Sequence, residues 1–219
     1  MKILAIRLAR SIWFVPAYFL NPKGVFIRPS LEALKERYKF QKSPFDAPVT
    51  IPNPKDGAKY ENGAFAVEDK AVMIASATIH DDGFVVDTRS STAHGDAFLD
   101  DALSWIAQKH GLPIPTELPI TKLYVSELNV IFDKAPQFFD PKLTPFLKEV
   151  SSAISDEKTG KADFLSFHFS TDPTVHPRQA TFRIDREINV PFEQNRYYSF
   201  APTTTDVHLK LLEKLESLL

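Results

Sequence analysis

The order of predicted elements repeats along this chain. Residues 1–110 and 121–219 each read as a strand, a helix, three strands and a long helix. The stretch 111–120 between them contains three prolines, which favour a stiff, extended connection. We therefore predict two similar α+β halves, packed closely as one unit and joined by a proline-rich linker.

The strands are predicted from the alternation of apolar and polar residues. They lie near residues 2–9, 63–68, 70–80, 83–89, 123–132, 163–170, 180–190 and 196–201. The segment Asp81-Asp82-Gly83 is typical of a tight hairpin turn, because glycine adopts positive φ without strain. Strands joined by hairpins run antiparallel, so we expect a largely antiparallel sheet with helices on one face.

Three helices have clear start or stop signals. The first opens near Ser30, which we expect to act as its N-cap. The second runs from about Asp96, its expected cap, to His110 and ends at Gly111. Its apolar face consists of Phe98, Leu99, Ala102, Leu103 and Ile106. The third begins at Thr144-Pro145, with an expected buried face of Phe146, Leu147, Val150 and Ile154.

In the order of its elements the chain resembles the TATA-box-binding-protein fold, whose two repeats each run strand, helix, several strands and long helix. The resemblance covers most of the chain and rests on no sequence motif. It implies a curved sheet with helices on the convex side. It does not imply that family's DNA bending, because a fold alone is weak evidence for function.

Charge and composition exclude several classes of protein. The formal net charge is −2, and without a basic stripe this argues against nucleic-acid binding. The chain has no cysteine, so disulfides, thiolate catalysis and cysteine-ligated zinc are excluded. Arg7 and Arg10 interrupt the apolar N-terminal run, which argues against a signal peptide or a membrane span. We expect a cytoplasmic protein without a membrane partner.

The loop from Asp87 to His94 is the densest polar cluster and precedes a helix. Its candidate ligand-binding residues are Asp87, Arg89, Ser90, Ser91, Thr92 and His94. Free N–H groups and the helix dipole attract anions to such a position, and Arg89 can bind a carboxylate or phosphate through two hydrogen bonds. The alternative is ordinary helix capping in a solvated loop, since serine and threonine favour helix starts in any protein.

His168, Asp172 and His176 are spaced as metal ligands would be on a helix. The segment around His168 alternates like a strand and Asp172-Pro173 begins a turn, so the three side chains need not converge. We predict no metal site and no cofactor. No local signature of a nucleophilic triad accompanies the serines and histidines, which favours a non-enzymatic protein without deciding the question.

Polar residues at alternate strand positions predict a mixed-charge surface on the side of the sheet that carries no helix. Strand 123–132 would direct its apolar residues inward and Glu127 and Asn129 outward. By the same argument Arg7 points away from Leu4, Ile6 and Leu8. The predicted partner-binding residues are Arg7, Glu127, Asn129, His168, Arg183, Asp185 and Glu187.

These observations favour a non-enzymatic binding or assembly module. It would bind a protein partner, or a second copy of itself, through the open sheet face or a sheet edge. One alternative is an enzyme or a binder of small anions centred on the 87–94 loop. Another is a nucleic-acid binder that reads shape on the concave face of the sheet.

Overall fold

The computed structural model describes residues 1–46, 57–68, 70–134, 144–154, 164–172, 174 and 180–218. These residues form eight strands and five α-helices. The strands are β1 (Lys2–Phe14), β2 (Ala58–Val67), β3 (Lys70–His80), β4 (Gly83–Thr88), β5 (Thr121–Ile131), β6 (Ser166–Ser170), β7 (Thr181–Arg186) and β8 (Arg196–Ala201). The helices are α1 (Ala17–Leu20), α2 (Arg28–Arg37), α3 (Thr92–His110), α4 (Thr144–Ile154) and α5 (Thr205–Glu216).

The strands form one open antiparallel sheet in the order β2-β3-β4-β1-β5-β8-β7-β6. The predicted α+β class and antiparallel sheet are therefore confirmed. The chain divides into two compact units. The N-terminal unit comprises 6–126 and 202–207, and the C-terminal unit comprises 1–5, 127–201 and 208–219. The predicted division at the linker 111–120 stays a prediction.

The core of the N-terminal unit lies between its strands and α3. The apolar face of α3 is buried as predicted, with Phe98 and Leu99 each 3% exposed. Trp13 of β1 is fully buried and donates its indole N–H to Asp96 of α3 at 2.8 Å. The turn at Asp81-Asp82 joins β3 to β4 with His80 opposite Gly83, which confirms the predicted hairpin.

Two predicted helix starts are wrong. Helix α3 begins at Thr92, with Ser91 as its cap, because the Ser91 hydroxyl accepts a hydrogen bond from the backbone N–H of Ala93. Asp96 lies inside the helix. Helix α2 begins at Arg28, so Ser30 is a buried helical residue whose hydroxyl contacts His110 Nε2 at 2.7 Å. The stop of α3 at Gly111 is confirmed by its left-handed conformation, with φ of 63°.

The predicted faces of β1 are reversed. Ala9, Ser11 and Trp13 are buried, and Gly95 of α3 approaches Ser11 so closely that a Cβ at Gly95 would lie 2.8 Å from the serine hydroxyl oxygen. Since side chains alternate along a strand, Arg7 lies on the side of these buried residues, although it is exposed. Leu4 is 37% exposed and lies on the other side.

The core of the C-terminal unit lies between its strands and α5. Ile184 of β7 and Leu212 of α5 are fully buried. Ser199 of β8 contacts His208 of α5, also buried, with 2.8 Å between the hydroxyl oxygen and Nε2. Helix α5 therefore covers the side of the sheet to which Ile184 and Ser199 belong.

Several apolar residues of this unit are exposed, among them two from the predicted buried face of α4. Helix α4 begins at Thr144 as predicted, but Phe146 and Ile154 are more than half exposed. Phe169 of β6 is 59% exposed because β6 is the last strand of the sheet. Ile188 is 80% exposed because β7 ends at Arg186, before the predicted limit.

Candidate functional site

A network of polar side chains covers the side of the C-terminal sheet opposite α5. Register places Arg183 of β7 between His168 of β6 and Phe200 of β8, and Asp185 between Ser166 and Tyr198. These residues alternate with the buried Ile184, so they point away from α5. We call this surface the polar face: Glu127, Asn129, His168, Arg183, Asp185, Glu187, Arg196, Tyr198 and Phe200.

Arg183 lies at the centre of the polar face. Its guanidinium carbon is 5.3 Å from the centre of the Tyr198 ring and 5.6 Å from that of Phe200. Such stacking on aromatic rings is a favoured environment for arginine. Its Nε lies 3.4 Å from Asp185 Oδ2, and the side chain remains 42% exposed. The hydrogen bond with Tyr198 is the main cause that raises the pKa of Arg183.

Asp185 connects the centre of the polar face to the edge strand. Its Oδ1 is 3.1 Å from His168 Nε2, and the Ser166 hydroxyl lies 2.9 Å from the same nitrogen. Tyr198, on the other side of Asp185, has its pKa raised, first by burial and also by the neighbouring carboxylate of Glu127. The predicted residues Glu127, His168, Arg183 and Asp185 therefore belong to one connected surface.

The remaining predicted residues meet beside this centre. Asn129 donates from Nδ2 to Glu187 Oε1 at 2.8 Å, and Arg196 Nε lies 2.7 Å from Glu187 Oε2. Asn129 is only 7% exposed, so its hydrogen bond is made in a largely dry environment. Arg7, the seventh predicted partner-binding residue, is an exposed residue of the N-terminal unit.

The residues of the loop before α3 have two roles: some bond the start of the helix, and others line a cleft. Ser91 caps the helix, and Thr92 is buried, with its backbone N–H donating to Thr205 Oγ1 at 3.1 Å. Protein hydroxyls thus satisfy the first two N–H groups of α3. Asp87 accepts two hydrogen bonds from Arg10, at 2.6 and 2.9 Å, and a third from Ser76.

Arg89, Ser90 and His94 line a cleft of about 500 Å³ beside the start of β3. Lys70 and Glu68 line the same cleft. Ser90 Oγ lies 2.9 Å from His94 Nδ1, which holds the imidazole at the cleft wall. Of the six predicted ligand-binding residues, these three share a concavity that a small anion can enter.

Some polar residues with structural importance were missed by the sequence interpretation. Arg186 is 5% exposed and donates from Nε to the Phe164 carbonyl at 2.7 Å and from Nη1 to the Phe192 carbonyl at 3.0 Å. His208 is fully buried, and burial lowers its pKa to about 4. Arg186 follows Ile184 by two residues in β7, so both side chains lie on the same side of the sheet. This spacing was the one feature of the sequence that indicated the burial of Arg186.

The pair Ser199 and His208 contains the residue types of a nucleophile and its base. Both side chains are fully buried, and the Ser199 hydroxyl donates to the Arg183 carbonyl at 3.0 Å. His208 therefore donates from Nε2–H to Ser199 Oγ and is a neutral imidazole in a structural chain of hydrogen bonds. A substrate has no access to this pair, so it supports no acyl-transfer chemistry.

Comparisons with models of protein families, with curated proteins and with solved structures found no match for this chain. Among the described residues, no three His, Asp or Glu side chains are grouped as metal ligands. His176, one of the three residues with metal-like spacing, lies outside the described part of the chain. In that part, too, no helix combines the length and the apolar character needed to cross a membrane.

Proposed function

We propose that this protein is a non-enzymatic module that binds a protein partner through the polar face. The observation that carries the proposal is the position of Arg183, stacked over Tyr198 and Phe200 on the side of the sheet opposite α5 and 42% exposed. Arginine and tyrosine are enriched among the residues that dominate binding energy in protein interfaces. Their side chains contact each other here, and such contacts reduce the entropy lost on binding.

The balance of charges favours a protein over a nucleic acid as the partner. The polar face carries the guanidinium groups of Arg183 and Arg196 together with three carboxylates, from Glu127, Asp185 and Glu187. Interspersed charges of both signs give orientation and specificity to a protein complex. They repel a phosphate backbone in part, whereas a nucleic-acid site needs a continuous basic surface.

Charge reversal at the centre of the polar face tests the proposal. The tagged wild-type protein, Arg183→Glu and the control Arg28→Glu are used to capture proteins from extracts of the source cells. Arg28 is an exposed arginine in an ion pair with Glu32, so its reversal makes a comparable change of charge elsewhere. We expect a protein that wild type and Arg28→Glu retain and that Arg183→Glu loses.

A purified partner then permits a quantitative test. Calorimetric titration should show at least about tenfold weaker binding to Arg183→Glu, equivalent to about 1.4 kcal/mol. Thermal unfolding of the three proteins checks that each variant is folded. If Arg183→Glu captures and binds the same proteins with unchanged affinity, the polar face is not the binding surface.

A second candidate function is supported by the cleft of Arg89, Ser90 and His94. With Lys70 it offers two permanent cations and an imidazole to a small anion, within a volume suited to a phosphate ester or a carboxylate. Titration of inorganic phosphate into the isotopically labelled protein should shift the amide signals of Arg89 and Ser90 and leave those of Arg89→Ala unshifted. Equal shifts in wild type and variant would contradict a specific site.

We also propose that the two halves are structural repeats with a TATA-box-binding-protein-like arrangement. The matching strand orders, β1-β4-β3-β2 and β5-β8-β7-β6, support a repeat. An experimental structure tests it: α3 and α5 should coincide when 1–110 is superposed on 121–219. We propose separately that the protein is cytoplasmic. The charged residues Arg7 and Arg10 within the N-terminal apolar run support this location.

A further inference from the structure

Strand β6 presents backbone hydrogen-bonding groups at the edge of the sheet. It is the last strand in the strand order, and it pairs with β7 alone among the described strands. The backbone N–H of Arg186 donates to the Leu165 carbonyl, and that of Thr171 donates to the Ala180 carbonyl. In an antiparallel pair, every second residue directs its backbone N–H and C=O groups to the neighbouring strand. Leu165 and Thr171 belong to the set that faces β7, so the N–H and C=O groups of Ser166 and His168 point away from β7.

The sequence of β6 reads the same in both directions: Ser166-Phe167-His168-Phe169-Ser170. An antiparallel pair of two such strands, centred on His168, matches every residue with its own kind. Ser166 meets Ser170, Phe167 meets Phe169, and His168 meets His168 of the second copy. This register also agrees with the backbone directions, because it makes His168 and its counterpart a hydrogen-bonded pair.

The side chains of β6 suit this pairing on both sides of the strand. Phe169 is 59% exposed on the α5 side, where Phe167 of a second copy would lie opposite it. Aromatic cross-strand pairs of this kind stabilise antiparallel sheets. On the polar side, Asp185 lies 3.1 Å from the ring of His168 and would provide a carboxylate beside each of the two facing imidazoles.

We propose that two copies of this chain associate through β6 in an antiparallel pair centred on His168. The contact is isologous, since the same residues serve both copies about a two-fold axis. It uses the edge of the sheet and does not depend on a partner for the polar face. Five residues a side bury less than the about 1,600 Å² of a standard interface, so we expect reversible, micromolar or weaker association.

Sedimentation equilibrium of the wild-type chain and its variants tests the association. His168→Pro removes the outward N–H, a change that an edge strand tolerates, and Phe169→Lys places a charge in the aromatic contact. Ile188→Lys is the matched control, because Ile188 is 80% exposed and lies outside β6. We expect wild type and Ile188→Lys to dimerise with rising concentration, and both β6 variants to need at least about tenfold higher concentration.

Spin labels on single cysteines test the register, which the absence of natural cysteine makes straightforward. In the proposed pair the two backbones at position 168 are about 5.5 Å apart. Those at position 166 are separated by four residues along the strand, about 14 Å. We therefore expect strong spin–spin broadening for His168→Cys, weaker and equal broadening for Ser166→Cys and Ser170→Cys, and none for Ile188→Cys.

The proposal is overturned if the wild-type chain remains monomeric up to about 1 mM. It is also overturned if dimers form but the labels show no maximum at position 168. Dimerisation of folded His168→Pro and Phe169→Lys with wild-type affinity would likewise exclude β6 as the contact. These outcomes leave the polar-face proposal untouched, because that proposal is tested by Arg183→Glu in a mixture with other proteins.

Discussion

Thr92 and Thr205 cap each other: the backbone N–H of each residue donates to the side-chain hydroxyl oxygen of the other, at 3.1 Å in both directions. They are the first residues of α3 and α5 and lie 113 positions apart in the sequence. Both are buried, so no water replaces either bond. The reciprocal pair therefore fixes the starts of two helices at once.

Removing one hydroxyl of this pair should destabilise the protein. Thr205→Val preserves shape but leaves the buried N–H of Thr92 without an acceptor, and we expect a loss of about 1–3 kcal/mol in the free energy of unfolding. Urea denaturation followed by circular dichroism measures it. Thr205→Ser, which keeps the hydroxyl, should lose clearly less. An unchanged free energy of unfolding in Thr205→Val would show that the Thr205 hydroxyl contributes little to stability.

Acid should weaken the fold through His208. Burial lowers its pKa from the ordinary 6.5 to about 4, so between these values the unfolded chain takes up a proton that the folded chain refuses. Stability is full above about pH 6.5 and falls as the pH drops towards 4, by about 3 kcal/mol in all. His208→Gln should flatten this part of the pH profile, measured by urea denaturation, whereas the control His80→Gln should keep it.

The buried guanidinium of Arg186 should not be replaceable by lysine. Its Nε and Nη1 donate to the carbonyls of Phe164 and Phe192. The central carbon of its guanidinium lies 4.5 Å from the ring centre of Phe192. A lysine cannot reproduce this forked geometry, so Arg186→Lys should cost about 2–3 kcal/mol in thermal or urea unfolding. Arg196→Lys, at a more exposed site, is the control. A near-neutral Arg186→Lys would mean that the two carbonyls have other donors.

Charge reversal at Arg7 should leave stability nearly unchanged. Arg7 is exposed, so Arg7→Glu should alter the unfolding free energy by no more than about 0.5 kcal/mol. Differential scanning calorimetry is the measurement. A large decrease in melting temperature would show that Arg7 makes a stabilising contact. Weaker capture of a partner by Arg7→Glu would support the predicted role of Arg7 in partner binding.

The parts of the fold that local patterns determine were predictable. The five apolar residues on one face of α3 follow helical spacing, and all are buried. The turn at Asp81-Asp82 carries its own signal in the glycine that follows. Alternation also predicted that Arg183 and Asp185 point away from Ile184, which is why most of the polar face was identified from the sequence.

Other features depend on distant residues, and their sequence signals were ambiguous. Ser91 and Asp96 are both good capping residues, and the choice between them is linked to Thr205, far along the chain. In β1 both sets of alternate residues are largely apolar, so the side chosen depends on the close approach of Gly95 to Ser11. From the sequence, Arg186 is expected at the surface. Its burial depends on the carbonyls of Phe164 and Phe192, which only the folded chain places beside its guanidinium.

The N-terminal unit draws on two separate stretches of chain, 6–126 and 202–207. Thr205 therefore emerges from the ribosome 79 residues after Ser126. At about 5–20 residues per second this is a delay of about 4–16 s, during which the backbone N–H of Thr92 lacks its hydroxyl acceptor. The N-terminal unit is therefore complete only after the strands β6 to β8 of the C-terminal unit have been synthesised.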